Sequence, residues 1–141
     1  MKKIIFGISG IISLHEACDL VGMFVSGGFE VRIIMTRNAT RYIDPLTFQT
    51  LSGCPVATDK TSWKNRSMEH LSLRDGASLL LVAPASGKII VNFVEGIAND
   101  LLSTTYLSVN CPVVIAPAVI PIMYHHPIMQ QHLQILKERG V

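Results

Sequence analysis

Two kinds of hydrophobic pattern alternate along the chain. Short, nearly continuous apolar runs are typical of strands buried on both faces, and apolar residues spaced three or four apart are typical of amphipathic helices. The apolar runs predict strands over residues 3–7, 30–35, 79–83 and 112–116, the last of them fully buried. The helical spacing predicts helices over residues 12–25, 39–42, 46–51, 88–95, 100–109 and 127–139. In the last helix we expect Ile128, Leu133 and Leu136 to face inward.

This order of elements predicts a parallel α/β sheet of the doubly wound kind. The loops at Ser9-Gly10, Ala85-Ser86 and Ala118-Val119 should then converge on the carboxyl edge of the sheet, where open α/β sheets bind ligands. Small residues in such loops let a flat ring or a phosphate approach the backbone. A polar, aperiodic segment over residues 57–69 predicts a mobile surface loop.

The composition narrows the class of protein. A chain of 141 residues with 49% hydrophobic content is predicted to form one domain. A net charge of only +2, without a dense basic cluster, argues against nucleic-acid binding. The mean hydropathy of +0.41 is high, but no apolar run approaches the roughly 20 residues that span a bilayer, so the excess predicts a doubly buried sheet or a subunit interface. We predict a cytoplasmic protein, because glycines and His15-Glu16 interrupt the apolar run that a signal peptide needs.

Candidate chemistry lies close to the predicted loops. Gly7-Ile8-Ser9-Gly10, between a strand and a helix, could hold a phosphate on free N–H groups, but the dinucleotide fingerprint is incomplete and a plain tight turn explains these residues as well. Thr36 could add a hydroxyl to the same phosphate or act as a helix N-cap. His70 could act as a general base or be an ordinary surface or packing residue.

A metal site is not predicted. His125 and His126 are adjacent, so their side chains point apart on regular structure, and no carboxylate or cysteine lies at ligand spacing. The cysteines, Cys18, Cys54 and Cys111, are odd in number and lack metal-like spacing, so we expect reduced packing thiols.

Seven segments together carry a resemblance that none of them carries alone. They are Gly-Ile-Ser-Gly at 7–10, Met-Thr-Arg-Asn-Ala-Thr-Arg-Tyr at 35–42, Pro-Leu-Thr-Phe-Gln-Thr-Leu-Ser-Gly at 45–53, His-Leu at 70–71, Ala-Pro-Ala-Ser at 83–86, Gly-Ile-Ala-Asn-Asp-Leu-Leu-Ser-Thr-Thr at 96–105, and Ala-Pro-Ala followed by Met and His-Pro within 116–127. In this order and spacing the chain resembles the flavin-containing cysteine decarboxylases. It is most similar to the phosphopantothenoylcysteine decarboxylase branch, which serves coenzyme A biosynthesis.

The resemblance implies a flavodoxin-like, Rossmann-like three-layer sandwich that assembles as a homotrimer, or as a higher assembly of trimers, with FMN between subunits. It implies that His70 is the catalytic residue. It also implies a reaction in which the flavin oxidises a cysteinyl thiol to a thioaldehyde, the carboxylate is lost, and an enethiol results. The residues implied to bind the cofactor are Ser9, Gly10, Ile11, Ile12, Thr36, Arg37, Asn38, Ser86, Gly87, Lys88, Ile89 and Ala118.

The chain departs from the family pattern mainly where the substrate would bind. Lys88 and Ile89 stand where the family has Asn and Thr, and Ile120 replaces an Asn that handles the substrate carboxylate. Glu16 and Asp75 replace two cations, which should make the substrate pocket repel an anion. We also expect residues 1–141 to form a single flavoprotein domain that lacks the family's C-terminal segment with its cysteine-containing substrate clamp.

Three functions follow from this comparison. The first is FMN-dependent decarboxylation of a cysteinyl substrate, with His70 as base. The second is a family member that binds flavin or a partner, or regulates, without turnover, as the four departures Glu16, Asp75, Lys88 and Ile120 suggest. A flavin prenyltransferase on the related fold is least favoured, because His70 and the Ala-Pro-Ala segment match the decarboxylases better.

Overall fold

A parallel sheet forms the centre of the fold. The computed structural model describes residues 1–60 and 72–141. Within these residues five strands pair, all parallel, in the order β3-β2-β1-β4-β5. The chain moves outward from β1 to β3 and then returns to the other side of β1, which confirms the predicted doubly wound α/β fold. The strands are β1 (Lys3–Ile8), β2 (Glu30–Met35), β3 (Ala57–Thr58), β4 (Ala77–Ala85) and β5 (Val113–Pro117).

The helices begin and end at residues whose chemistry suits those positions. The side chains of Asp44, Ser86 and Asp100 accept hydrogen bonds from first-turn N–H groups of α2, α3 and α4. Gly53 and Gly96 end α2 and α3 in the left-handed conformation. No helix in the described ranges is long and apolar enough to cross a membrane. Among the described residues, the helices with both ends defined are α1 (Leu14–Ser26), a 3-10 helix (Ala39–Arg41), α2 (Pro45–Ser52), α3 (Gly87–Glu95), α4 (Leu101–Ser108), α5 (Pro121–Tyr124) and α6 (Pro127–Glu138).

Two hydrophobic cores cover the two faces of the sheet. Ile4, Phe6 and Ile8 of β1 pack with α1 and α2, whereas Ile5 between them packs in the core formed with α3, α4 and α6. Because successive side chains of a strand point to opposite faces, an unbroken apolar run is what a strand covered on both sides requires. This arrangement confirms the predicted three-layer sandwich.

The edge strand β5 corrects two of the burial predictions. The expectation of a fully buried strand over residues 112–116 is wrong, because β5 has β4 as its one described neighbour and Val114 is 47% exposed. In α6 the expectation that Ile128 faces inward is also wrong: it is 56% exposed, and the buried side chains are Met129 and Leu136. The buried face of α6 contains Met129, the residue after Ile128. Met129 and Leu136 are seven positions apart, a spacing that places both side chains on one face of a helix.

The segment predicted as a mobile loop begins with a strand. Ala57 and Thr58 are buried and pair with Ile34 and Met35 of β2, so the prediction of a surface loop is wrong for these two residues. Two residues are too few to show a strand period, and their pairing depends on a partner far away in the chain. Residues 61–71, including His70, lie outside the described residues.

The cysteines are free thiols in the structure. Desolvation by partial burial raises the pKa of the Cys18 thiol, and the nearby Asp19 carboxylate raises that pKa further. Burial likewise raises the pKa of the Cys111 thiol. A raised pKa lowers the fraction of reactive thiolate at neutral pH.

We predict that Gly7→Ala destabilises the fold whereas Gly22→Ala does not. A Cβ on Gly7 would lie 2.6 Å from Cδ1 of Leu102, a core residue that is 1% exposed, and overpacking of this kind costs about 1–3 kcal/mol. A Cβ on Gly22, inside α1, meets no heavy atom within 4 Å, and alanine there should stabilise by about 0.5–1 kcal/mol. Urea unfolding measures both free energies. Equal effects of the two substitutions would contradict the close packing of α4 on β1.

Candidate functional site

A cavity of about 720 Å³ lies at the carboxyl edge of the sheet. Residues that follow the carboxyl ends of β1, β2, β3 and β4 line it, together with the start of α4. Its volume is typical of small-molecule sites, and its position outside the strand ends is where open α/β sheets bind ligands. The lining residues are Gly10, Thr36, Arg37, Asn38, Asp59, Lys60, Ser86, Lys88, Ile89, Asn99 and Asp100.

The hydroxyl of Ser9 joins two of the loops beside this cavity. Ser9 Oγ donates to the carbonyl of Pro84 over 2.8 Å and accepts from the backbone N–H of Ser86 over 2.9 Å. Because Ser9 is only 1% exposed, its hydroxyl holds the loop after β1 against the loop after β4 and does not line the cavity. The structure therefore gives Ser9 a positioning role between these loops.

Gly10 allows the same two loops to approach closely. Its φ is 77°, in the left-handed region that favours glycine, and a Cβ there would lie 3.0 Å from Cβ of Ser86. A side chain at this position would both strain the backbone and push the loops apart. The bare backbone therefore leaves room in the cavity for a ligand.

Helix α3 begins at the cavity. The hydroxyl of Ser86 caps it by accepting from the N–H of Ile89 over 3.2 Å, and Lys88 follows in the first turn. The unpaired N–H groups and dipole of a helix N-terminus favour an anion. Thr36 Oγ1 lies 3.4 Å from the N–H of Ala39, too far for a strong cap, so this hydroxyl remains available at the rim.

Sequence reasoning missed the lining residues Asp59, Lys60, Asn99 and Asp100. Asp59 Oδ1 accepts from the N–H of Leu101 over 2.8 Å, and Asp100 Oδ1 accepts from the N–H of Ser103 over 2.7 Å. The cap formed by Asp100 had a local signal, an aspartate directly before a predicted helix. The contact of Asp59 had none, because it joins residues 42 positions apart.

The remaining predicted cofactor residues lie beside the cavity and do not line it. Ile11 and Ile12 are exposed on the loop between β1 and α1. Gly87 faces Val119 and Met129, with a hypothetical Cβ 3.6 Å and 3.5 Å from their side-chain atoms. Ala118 donates its N–H to the carbonyl of the β4 residue Ala85 over 2.9 Å. The predicted convergence of the three loops is thus observed as direct contacts.

Asp75 lies at the opposite edge of the sheet. Its carbonyl accepts from Lys3 Nζ over 2.9 Å, and Lys3, at the amino end of β1, is in register with Ala77. Asp75 therefore does not line the cavity described here, and its expected effect on a substrate pocket stays a prediction. Within the described residues, no group of three or more His, Cys, Asp or Glu side chains could hold a metal ion.

Comparison with profiles of known protein families identifies the family of this chain. The Flavoprotein family profile matches residues 1–141. This chain belongs to the Flavoprotein family. The match extends over the loops that form the cavity as well as the core, and it confirms the resemblance found in the sequence motifs.

Individual relatives of this flavoprotein agree with that assignment. The coenzyme A biosynthesis bifunctional protein CoaBC of Bacillus subtilis (strain 168) is 39% identical over 140 residues, which are 99% of this chain and 34% of that protein. The chain thus spans about a third of the length of that curated relative. The FMN-dependent cysteine decarboxylase SpaF superposes with a TM-score of 0.90 at 26% identity, covering 99% of this chain and 81% of SpaF.

A second solved structure shares the fold. A PPC decarboxylase mutant complexed with pantothenoylaminoethenethiol superposes with a TM-score of 0.85 at 24% identity, covering 99% of this chain and 79% of that chain. At this level of identity, the superposition shows that the two proteins share a fold and shows nothing about activity.

We predict that Ser9→Ala weakens the protein although Ser9 does not line the cavity. The substitution removes the acceptor for the Ser86 N–H, and leaving such a donor unpaired costs about 1–3 kcal/mol. Ser26→Ala, at the exposed end of α1, is the matched control and should change stability by no more than about 0.5 kcal/mol. Thermal and urea unfolding measure both. Equal stabilities of the two variants would show that the link between the loops contributes little.

Proposed function

We propose that this chain binds FMN in the cavity at the carboxyl edge and catalyses the oxidative decarboxylation of a cysteinyl substrate. Phosphopantothenoylcysteine, in coenzyme A biosynthesis, is the proposed substrate. The observation that carries the proposal is the cavity itself, in which Gly10, Ser86 and the start of α3 meet. The names of the relatives CoaBC and SpaF support the same activity.

The residues around the cavity fit FMN. FMN combines a flat ring with a phosphate, and the close approach of Gly10 to Ser86 leaves space free of side chains for such a ligand. The N-terminus of α3 and the hydroxyl of Thr36 suit a phosphate, while the buried Ile89 supplies an apolar wall. Thr36, Arg37, Asn38, Ser86, Lys88 and Ile89 would hold the cofactor directly. Ser9 would act by holding the loops together.

The proposed chemistry divides between the cofactor and the chain. When bound, FMN supplies a two-electron oxidation, by which the cysteinyl thiol becomes a thioaldehyde that loses carbon dioxide and yields an enethiol. His70, assigned from its sequence motif, would remove a substrate proton, a task that histidine performs near neutral pH. Gly10 and Ser86 would position the flavin against the substrate through their fixed backbones.

A flavin-binding or regulatory role without turnover is the second candidate. Ile120, which replaces the carboxylate-binding Asn of the family pattern, is 49% exposed and offers no hydrogen bond to a substrate. A lost hydrogen bond to a charged group is worth about 1.5–3 kcal/mol, enough to weaken recognition of the carboxylate. Under this proposal the flavin site is retained and the substrate site is not.

We also propose a homotrimer, or a higher assembly of trimers. Strand β5 and the segment that forms α5 and leads into α6 expose several apolar side chains. They are Val114, Ile120, Ile122, Met123, Tyr124 and Ile128. Apolar patches of this kind on a small domain mark interaction surfaces, which supports association through this face. The cytoplasmic location inferred from the sequence stays a prediction.

We predict that His70→Asn abolishes decarboxylation and leaves FMN bound. A general base contributes about 10²–10⁴-fold to the rate and does not hold the cofactor. His15→Asn, on the exposed side of α1, is the control and should retain activity. Carbon dioxide release from 4′-phosphopantothenoylcysteine measures turnover, and the visible absorbance of oxidised flavin measures cofactor content.

The same experiment separates the two candidate functions. Wild-type protein that carries FMN but releases no carbon dioxide would favour the binding role. A preparation that carries no flavin and takes up none when FMN is added would refute both.

We predict that the protein associates in solution and that Ile122→Glu weakens the association. Ile122 is 78% exposed, so a charge there costs the monomer little but would have to be desolvated in an interface. Met23→Glu, on the exposed face of α1, is the matched control. Light scattering coupled to size-exclusion chromatography gives the mass of each variant. A monomeric wild type at micromolar concentration would contradict the proposed trimer.

A further inference from the structure

A polar side chain is buried in the middle of helix α3. Asn92 is 5% exposed, although most buried positions of the two cores are apolar. Its side-chain amide donates to Oδ1 of Asn99 and to Oγ of Ser103, each over 3.3 Å. Ser103 lies in the first turn of α4 and is 1% exposed. A polar group at such depth costs stability unless it is hydrogen-bonded, so these two bonds are what allow an asparagine here.

The same residue holds the connection between α3 and α4. The backbone carbonyl of Asn92 accepts from the N–H of Ile97 over 2.9 Å. At the far end of the connection, the N–H of Leu101 donates to Asp59 over 2.8 Å. Residues 96–99 are exposed, so hydrogen bonds rather than burial fix the path of the chain between the two helices.

Asn99 is thereby held at the wall of the cavity. It is a lining residue, and its Oδ1 is occupied by the bond from Asn92. Among residues 1–60 and 72–141, no group accepts a hydrogen bond from Nδ2 of Asn99. An asparagine whose oxygen is bonded retains two N–H donors. The cavity therefore contains a hydrogen-bond donor whose orientation is set from within the core.

We propose that Asn99 contacts the bound ligand by donating a hydrogen bond to one of its oxygen atoms, and that Asn92 is the positioning residue that keeps this donor turned to the ligand. The acceptor is a carbonyl, hydroxyl or carboxylate oxygen, which either the flavin or the cysteinyl substrate could supply. Ser103, the second acceptor for Asn92, holds Asn92 in place. The inference rests on the proposed function and adds the α3–α4 connection to the site.

The direction of the bond between the two asparagines makes the role of Asn92 testable. Because Asn92 donates, Asn99 must accept, and its N–H groups remain for the ligand. Asn92→Asp keeps the shape of the side chain, but an ionised carboxylate only accepts. Asn99 would then donate towards position 92 and turn its oxygen to the ligand. The contact would be lost although Asn99 itself is unchanged.

The test compares wild type with Asn99→Leu, Asn92→Asp and the double variant. Flavin-free protein is titrated with FMN by fluorescence, and FMN-loaded protein is titrated by calorimetry with 4′-phosphopantothenoylalanine, an analogue that keeps the carboxylate but has no thiol to oxidise. Asn110→Leu, at an exposed asparagine outside the cavity, is the matched control. Thermal unfolding shows whether each variant is folded. Asn92→Leu takes the place of Asn92→Asp if the buried carboxylate prevents folding.

We expect Asn99→Leu to weaken the binding of one ligand by about three- to tenfold, the effect of one hydrogen bond. Weaker FMN binding would assign the acceptor to the flavin, and weaker analogue binding with normal FMN binding would assign it to the substrate. Asn92→Asp should weaken the same ligand. The double variant should bind as Asn99→Leu does, because residues that act through one contact are not additive. Asn110→Leu should behave as wild type.

The opposite results separate this inference from the proposal on which it rests. Asn99→Leu that binds each ligand as wild type does would overturn the contact. Additive losses in the double variant, or normal binding by Asn92→Asp, would overturn the positioning role of Asn92. Wild-type protein that binds no FMN would refute the proposed function itself.

Discussion

The pairing of β1 with β4 is the constraint on which the rest of the molecule depends. The two strands lie side by side at the centre of the sheet, in register from Ile4 and Leu79 to Gly7 and Val82. Their loops must therefore emerge together at the carboxyl edge, where the Ser9 hydroxyl bonds to both Pro84 and Ser86. The crossing from one side of β1 to the other thus places the cavity at the point where open α/β sheets bind ligands.

The cavity is built largely from backbone and helix termini. Helices α3 and α4 both begin at its rim, and their caps use the side chains of Ser86, Asp100 and Asp59. These residues begin the helices and also belong to the lining of the cavity. Because Asp59 and Asp100 accept from N–H groups of α4, the hydrogen bonds that begin this helix also hold two carboxylates at the cavity.

The two edges of the sheet are finished differently. On one side the short β3 is buried, whereas on the other β5 is partly exposed and lies beside the apolar surface of α5. An exposed edge strand presents unpaired backbone groups and apolar side chains to solvent. Both features favour association with another chain. The apolar side chains exposed near this edge contribute to the high mean hydropathy of the chain, and they support the proposed assembly.

The sequence by itself determined the parts of this protein that depend on local pattern. The apolar runs predicted β1, β2 and β4 because strands covered on both faces are mostly apolar, and the motifs were sufficient to identify the family. Tertiary structure decided what depends on neighbours distant in the chain. The exposure of β5, the burial of Ala57 and Thr58, and the hydrogen bond from the start of α4 to Asp59 follow from which strand or helix lies alongside. Local periodicity does not predict these pairings, because each contact joins residues that are far apart in the sequence. The contact contributes free energy only when the fold brings both partners together.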